Sequence, residues 1–309
     1  MRVVVFGAGA VGGLFGALLS RAHHEVLLVA REPDVVAIRR DGLVIEGDTQ
    51  GTFELPAVDA LTDGMETDAL LLTVKAPDVR AAGEQVARRL RPIPPILALQ
   101  NGLGIERELI EGLDAGEGEV LPGTITRGVN SVPATRLAPG RIRHAGHGEV
   151  LIDTPDLPGA KRSAAMFLGL LGSAGIPIRQ VPELTREIWR KVVINAAVNP
   201  VTADHGIPNG QLAREPWRGQ AERLLREAQG VALSQGYEFS DDELEEDLWR
   251  VVRATARNRS SMLQDLERGH TTEIEFISGA LLRLADKHGL SLPLTRRAYE
   301  RIRARGRVP

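Results

Sequence analysis

A glycine-rich turn near the start of the chain constrains the fold more than any other feature. Residues 3–6 form an apolar segment, the pattern Gly7-x-Gly9-x-x-Gly12 follows at once, and an apolar helical stretch comes next. In that context Gly7 permits a tight turn, Gly9 lets the backbone approach a pyrophosphate, and Gly12 lets the helix pack closely on the strand. The pattern therefore predicts dinucleotide binding at the start of a helix. The predicted cofactor-binding residues of this turn are Gly7, Ala8, Gly9, Ala10, Val11 and Gly12.

The residue after the second predicted strand bears on which nicotinamide cofactor is bound. Residues 26–30 form an apolar strand, and Arg31 stands where an NAD-binding chain usually offers Asp or Glu to the ribose 2′-hydroxyl. A guanidinium favours a 2′-phosphate, so the sequence predicts NADPH rather than NADH. The structural alternative is an exposed arginine paired with Glu32 or Asp34.

Short apolar runs alternate with helical patterns through the first half of the chain, which predicts an α/β Rossmann-type domain with a parallel sheet over residues 1–181. From residue 182 to 309 helical periodicity dominates and predicts an all-α domain. We expect this domain to bind substrate and carry the catalytic group, because the polar stripe described below lies in it. The predicted strands are 3–6, 26–30, 70–73, 96–99, 120–121, 150–152 and 176–181, with a hairpin from 140–144 into 149–153. The predicted helix breaks are at Pro200, 206–210, Gly236, Gly269 and 289–293.

Two more strand ends are expected at the same crevice, because ligands of open α/β sheets bind outside the carboxyl ends of the strands. Lys75 follows the strand at 70–73, and Asn101 follows the strand at 96–99. Both positions suit contacts with the nicotinamide half of a cofactor and with substrate. The alternatives are a solvated loop lysine and an Asn101-Gly102 turn dipeptide.

A polar stripe crosses an otherwise apolar predicted helix. Lys191, Asn195 and Asn199 recur every four residues and share one face, whereas residues 192–198 are otherwise apolar or small. Buried polar groups need hydrogen-bond partners, and a polar ligand would supply them. A lysine there could donate a proton to a carbonyl oxygen as hydride reaches the carbon. The alternative is a solvent-facing stripe in which Asn199 ends the helix before Pro200.

A second carboxylate candidate lies near the end of the chain. Thr272 and Glu275 have the spacing of a capping box, which would make Glu273 a first-turn residue for structural reasons alone. On residue pattern, Glu273 is thus either structural or functional.

The composition excludes several classes of function. The sequence contains no cysteine, so neither a thiolate nucleophile nor a cysteine metal site is available, and we predict no metal. A net charge of -3 predicts neither a nucleic-acid nor a membrane partner. No apolar run approaches the roughly 20 residues needed to span a bilayer, and no export signal is visible, so we expect a cytoplasmic protein.

Seven segments, taken in order, resemble the ketopantoate reductase (2-dehydropantoate 2-reductase) family over essentially the whole chain. They are GAGAVG, VKAPD, QNGLG, WRKVVINAAVNPVTA, PNGQL, SSMLQD and HTTEIEF. The resemblance implies NADPH-dependent reduction of 2-dehydropantoate (ketopantoate) to D-pantoate, on the pathway to pantothenate and coenzyme A.

The resemblance also implies roles for individual residues. Lys191 matches the catalytic lysine that protonates the ketone oxygen, and Glu273 matches a catalytic carboxylate that also lies near the cofactor. Asn101 would contact both cofactor and substrate, and Lys75 would lie against the nicotinamide ribose. The remaining substrate-binding positions are Asn195, Asn199, Asn209, Asn258 and Ser261. Residues 111–119 and 296–307 carry no motif, and no role is transferred to them.

Two other functions stay open at this point. One is an NADPH-dependent reductase of another 2-keto acid, since the side chains around the substrate tail decide the choice. The other is a non-catalytic NADPH-binding sensor, which would have no need for the polar stripe. The sequence is compatible with a monomer or a homodimer.

Overall fold

The computed structural model describes residues 1–306, and the chain divides into two compact units. The first unit comprises Met1–Gln100 and Ile105–Leu184. The second unit comprises Asn101–Gly104 together with the chain from Thr185 onward. The four residues Asn101–Gly104 therefore pack with the second unit, although the segments on both sides of them belong to the first.

The first unit is built around an eight-stranded sheet. The strands of the unit are β1 (Arg2–Phe6), β2 (Glu25–Val29), β3 (Leu43–Gly47), β4 (Gly51–Phe53), β5 (Ala57–Val58), β6 (Ala69–Leu72), β7 (Ile96–Ala98), β8 (Ile125–Asn130), β9 (Ala134–Ala138), β10 (Arg141–His144), β11 (Val150–Asp153) and β12 (Ile178–Val181). The large sheet has the order β12-β11-β8-β7-β6-β1-β2-β5, and its neighbours run parallel except for β8 and β11. This sheet confirms the predicted Rossmann-type α/β architecture.

Helices cover the sheet and bury its central strands. They are α1 (Ala10–Arg21), α2 (Glu32–Asp41), α3 (Val79–Arg89), α4 (Ile105–Ala115) and α5 (Pro158–Ser173). Strand β6 reads ALLL and all four residues are fully buried, as expected for a parallel strand covered on both faces. Each buried leucine contributes roughly 1.5–3 kcal/mol relative to an exposed one.

The pairing register places the carboxyl ends of the central strands along one edge of the sheet. Phe6 in β1 pairs with Val29 in β2 and with Leu72 in β6, and Leu72 pairs in turn with Ala98 in β7. The glycine-rich turn, Arg31 and Lys75 all leave the sheet from this edge, as the alternating pattern predicts.

Two strand predictions in the first unit are wrong. Residues 120–121 form no strand, because Leu121 is exposed and its N–H is bonded to the Thr124 hydroxyl in a turn. In the predicted hairpin from 140–144 into 149–153, residues 141–144 do form β10, but β10 pairs with β9 and β3 in a separate sheet of order β4-β3-β10-β9 rather than with β11. The apolar Ile142 drives this placement, since it is buried with its Cδ1 against Gly13 of α1.

The second unit is all helical, which confirms the predicted fold class. Its helices are α6 (Leu184–His205, with Leu184 still in the first unit), α7 (Trp217–Ser234), α8 (Asp241–Ala254), α9 (Ser261–Glu267), α10 (Ser278–His288) and α11 (Pro293–Arg305), with short 3₁₀ turns at Asn209–Ala213 and Ile274–Phe276. The predicted break at Pro200 is wrong, because α6 continues through it to His205. Burial of the residues around Pro200 outweighs the lost backbone hydrogen bond. Within residues 1–306, none of the helices combines the length and apolarity required to cross a bilayer.

Candidate active site

The glycine-rich turn joins β1 to α1 beside the end of β2. The N–H groups of Gly7 and Ala8 donate to the Val29 carbonyl at 2.9 and 3.0 Å. Gly7 has a φ of +112°, and a Cβ there would lie 2.4 Å from the Val74 nitrogen. A Cβ on Gly12 would lie 2.2 Å from the Gly7 carbonyl oxygen, whereas a Cβ on Gly9 would face open space. The turn is thus closed toward the sheet and open at Gly9.

The start of α1 suits an anion. Its first turn, Ala10–Gly13, consists of alanine, valine and glycine, so no side-chain charge opposes the positive end of the helix dipole. The N–H groups of Ala10, Val11 and Gly12 precede the first i−4 bond, which Gly13 donates to Gly9 at 2.9 Å. This geometry fits a pyrophosphate placed over Gly9.

Arg31 lies at the start of α2 with an exposed side chain. Its Nη2 donates to Asp78 Oδ2 at 3.0 Å. The sequence offered Glu32 or Asp34 as the alternative partner of Arg31, but the ion pair is with Asp78. Asp34 instead accepts from Arg136 at 3.0 Å. The Arg31 guanidinium therefore lies next to the VKAPD segment that carries Lys75.

Lys75 is half-buried and immediately precedes a short 3₁₀ turn, Ala76–Asp78. The loop that carries it is tied to the next strand by Gln100. The Gln100 side-chain amide donates to the carbonyls of Leu72 at 2.8 Å and Val74 at 3.1 Å. Gln100 thus fixes the backbone on both sides of Thr73.

Arg127 is a buried cation that sequence analysis missed. Its guanidinium donates to the carbonyls of Ala98 and Gly128 at 2.9 and 3.0 Å, and also to that of Gln100. These contacts fix the end of β7, from which the chain passes into Asn101. Sequence analysis did not predict strand β8, because its sequence ITRGVN lacks the apolar pattern expected of a buried strand, and Arg127 was missed with it.

In the second unit, Asn101 lies next to Glu273. The Asn101 Nδ2 donates to Glu273 Oε2 at 2.9 Å, and Glu273 is only 9% exposed. The next residues also contact the turn after Glu273, since Leu103 N–H donates to the Phe276 carbonyl at 2.9 Å. The structure thus pairs two predicted site residues that are 172 positions apart in the chain.

The capping box expected at Thr272 does not form. The Thr272 hydroxyl accepts from the Ile274 N–H at 3.4 Å, and the Glu275 carboxylate instead accepts from the Tyr299 hydroxyl at 2.6 Å. The 3₁₀ turn begins at Ile274, so Glu273 precedes it. The purely structural explanation for Glu273 as a first-turn residue is therefore wrong.

The polar stripe lies on α6 as predicted. Lys191 and Asn195 are half-buried and Asn199 is 6% exposed, while the apolar residues between them are buried. Asn199 does not end the helix and is buried, so the alternative in which it ends the helix and faces solvent is wrong for this residue. An amide buried in this way requires polar partners.

The last three predicted residues lie at the start of a 3₁₀ turn, in a loop and at the start of a helix. Asn209 is buried, with its Nδ2 donating to the Thr255 hydroxyl at 2.9 Å and its backbone N–H to the Asn258 carbonyl at 2.9 Å. Its Oδ1 is buried without a hydrogen-bond partner in the described part of the chain. Asn258 is half-buried, and Ser261 is the exposed first residue of α9.

Ser260 anchors the start of α9 to the helix of the stripe. Its hydroxyl accepts from the Leu263 N–H at 3.2 Å and from the Thr202 hydroxyl at 2.7 Å. Thr202 lies one turn after Asn199 on α6, and its hydroxyl oxygen is 3.1 Å from the Asn199 carbonyl oxygen. The start of α9, including Ser261, is thus held beside the Asn199 end of the stripe.

Two family models match the chain. The model described as "Ketopantoate reductase PanE/ApbA" matches residues 3–156, and "Ketopantoate reductase PanE/ApbA C terminal" matches residues 183–306. Among curated relatives, the 2-dehydropantoate 2-reductase of Archaeoglobus fulgidus is 33% identical over 98% of this chain and 97% of its own length. The enzyme of the same name from Vibrio cholerae is 30% identical with the same coverage.

Solved structures show the same fold. The PanE/ApbA family ketopantoate reductase from Ralstonia eutropha JMP134 superposes with a TM-score of 0.86, at 30% identity over 99% of this chain and 98% of the other. D-mandelate dehydrogenase in its ternary structure with NADH and anilino(oxo)acetate superposes with a TM-score of 0.88 at 23% identity, over 99% and 98% of the two chains. At that identity the second likeness concerns the fold alone.

Proposed function

This chain belongs to the ketopantoate reductase family, and from that membership we propose that it reduces 2-dehydropantoate (ketopantoate) to D-pantoate with NADPH. The product serves the synthesis of pantothenate and coenzyme A. The observation that carries the proposal is the half-buried Lys191 on the same helix face as Asn195 and Asn199. A polar substrate bound on this face would satisfy the amides and receive a proton from the lysine.

A nicotinamide cofactor follows from family membership, and the choice of NADPH is part of our proposal. The glycine-rich turn from Gly7 to Gly12 would hold the pyrophosphate, and Arg31 would hold the 2′-phosphate. Lys75 and Asn101 would contact the nicotinamide half. NADPH, when bound, supplies the hydride. In this proposal residues 1–181 bind the cofactor and residues 182–309 bind the substrate.

The residues of the second unit divide the remaining work. Lys191 would hydrogen-bond the ketone oxygen and protonate it. Glu273, held by Asn101 at 2.9 Å, would orient the lysine and the substrate hydroxyl and lie near the cofactor. Further substrate contacts would come from Asn195, Asn199, Ser261, Asn209 and Asn258. A cytoplasmic location and a monomeric or homodimeric state stay predictions from the sequence.

Replacement of Lys191 tests the proposal directly. Lys191→Ala should lower kcat for ketopantoate by about 10²–10⁴, the usual contribution of a positioned general acid. The Kd for NADPH should stay within about twofold, because the lysine acts at the substrate. Lys287→Ala, which removes an exposed lysine on α10, is the matched control and should leave kcat unchanged. Equal activity of the Lys191 and Lys287 variants would refute the assignment.

A panel of 2-keto acids separates the remaining functions. A site that hydrogen-bonds the substrate hydroxyl should strongly reject an analogue that lacks it. Faster NADPH oxidation with another 2-keto acid would identify that acid as the substrate. NADPH binding in calorimetry with no oxidation by any member of the panel would indicate a sensor.

A further inference from the structure

Side chains of helix α11 contact the turn that follows Glu273. The Tyr299 hydroxyl on α11 donates to Glu275 Oε1 at 2.6 Å, and the Arg303 Nε lies 3.3 Å from the same oxygen. The Arg303 guanidinium also lies over the Tyr299 ring, 5.5 Å from its centroid. Burial, together with the Glu275 carboxylate, raises the pKa of Tyr299, so its hydroxyl keeps its proton and remains a donor.

Helix α10 contributes a second cation to the same carboxylate. Arg283 donates to the Glu275 backbone carbonyl at 3.0 Å, and its Nη1 lies 3.6 Å from Glu275 Oε2. Gly279, on the same helix, leaves room for this group, since a Cβ there would lie 2.8 Å from Glu275 Oε2. Glu275 is therefore fixed through both its side chain and its backbone.

The opposite side of the same turn meets the predicted site. Glu273 accepts from Asn101, and the Phe276 carbonyl accepts from the Leu103 N–H. Gly102 packs so closely that a Cβ would lie 2.5 Å from the Phe276 carbonyl oxygen. One short turn thus connects Tyr299 on one side to Glu273 and Asn101 on the other.

We propose that Tyr299 and Arg303 are positioning residues that act through Glu275 to hold Glu273 and Asn101 in place for the reaction. This inference rests on the proposed function. A shift of the turn would misplace the Glu273 carboxylate, and misplacement of a site group by a fraction of an ångström lowers the rate strongly. Helix α11 carries no family motif, and in this proposal it contributes to catalysis by positioning the turn.

Tyr299→Phe removes the hydroxyl and keeps the ring. We expect kcat/KM for ketopantoate to fall about tenfold, which corresponds to about 1.4 kcal/mol of transition-state stabilisation. Tyr237→Phe is the matched control, because Tyr237 is the other tyrosine of the chain and its ring stacks on Trp189 with 5.7 Å between centroids. It should leave kcat/KM unchanged.

A double-mutant cycle with Glu273→Ala distinguishes positioning from general stabilisation. If Tyr299 acts through Glu273, Tyr299→Phe should lower kcat/KM less than about twofold in the Glu273→Ala background. A tenfold loss in both backgrounds, or no loss in either, would overturn the inference. If Tyr299→Phe does not fold, Glu275→Gln gives the same cycle. An inactive parent enzyme with ketopantoate would instead refute the proposed function and, with it, this inference.

Discussion

At the scale of single residues, the ion pair of Arg31 bears on cofactor choice. Its guanidinium is 69% exposed and bonded to Asp78, so a 2′-phosphate would have to compete with that carboxylate. Exposed ion pairs of this kind contribute only about 0–1 kcal/mol, whereas a phosphate offers Arg31 a stronger, bidentate partner. The competition is therefore expected to favour the phosphate.

Reversal of the charge at Arg31 should change the cofactor preference. Arg31→Asp should raise the Kd for NADPH relative to that for NADH by at least about tenfold, because a carboxylate repels the phosphate and accepts from the ribose hydroxyl. Fluorescence titration with both cofactors measures the ratio. Arg40→Asp, at an exposed arginine of α2, is the control for net charge. An equal ratio in both variants would remove Arg31 from the cofactor site.

The position of Arg31 after β2 could be predicted from the sequence, but its partner could not. Asp78 is 47 residues away, and the pairing depends on how the loops after β2 and β6 approach each other. The same holds for Asn101 and Glu273, which were each expected near the site from motifs but whose contact only the folded chain brings about. Local spacing reveals the faces of helices, and not long-range pairs.

At the scale of elements, an ionic cluster joins α6 to α8. Arg190 pairs with Asp247 at 2.6 Å and with Glu243, and Arg186 lies 3.2 Å from the same Glu243 carboxylate. Burial alone would raise the pKa of Glu243, but Arg186 and Arg190 outweigh it and hold the pKa below its ordinary value. The charge of Glu243 therefore stabilises the helix that carries Lys191.

Neutralisation of Glu243 should have an effect that depends on pH. Its charge stabilises the fold above its ordinary pKa of about 4.5, and this contribution is lost as the pH falls through the lower folded-state value. Glu243→Gln should lower Tm by about 2–6 °C at pH 7. At pH values below the folded-state pKa, the two proteins should melt together. The control is Glu222→Gln, which breaks one exposed ion pair on α7 and should change Tm little in calorimetry. A Tm of Glu243→Gln that stays below that of the parent at low pH would contradict the charge effect.

Most strands of the large sheet followed from hydrophobic periodicity, whereas the predicted strands did not include β3, β4, β5, β8 and β9. Strand β8 carries Arg127 and Gly128, so its pattern is not that of an apolar strand, although the buried arginine donates to three carbonyls. Helix α6 continues through Pro200 because packing on all sides stabilises it. The predicted break at 289–293 marks the start of helix α11, but nothing in the arginine-rich sequence of this helix indicates that Tyr299 contacts Glu275. Arg307 lies outside the described residues.

At the scale of the molecule, the four residues Asn101–Gly104 determine how the chain is divided. Gly102 has a φ of +99° and lies against Phe276, whereas Gly104 has a φ of +80° and faces open space. The two glycines thus carry similar backbone strain and differ in packing. They provide a matched pair for testing the importance of this segment.

Gly102→Ala should therefore be much more damaging than Gly104→Ala. Both substitutions cost about 1 kcal/mol or more for a left-handed alanine, but only the first places a Cβ 2.5 Å from the Phe276 carbonyl oxygen. We expect Gly102→Ala to lower Tm further by several degrees and kcat/KM by about tenfold, through displacement of Asn101 from Glu273. Calorimetry and steady-state kinetics measure both effects. Similar values for the two variants would show that this packing is unimportant.

Because Asn101–Gly104 belong to the second unit, the gene cannot simply be divided at one point when its halves are exchanged with those of a relative. A chimaera made with a relative by a single crossover near residue 184 would take the helical half from one parent and this tetrapeptide from the other. The Phe276 turn would then face a loop that comes from the other parent. A functional exchange between relatives should thus require three junctions, one on each side of Asn101–Gly104 and one near residue 184. The four codons of Asn101–Gly104 would then come from the same parent as the helical half.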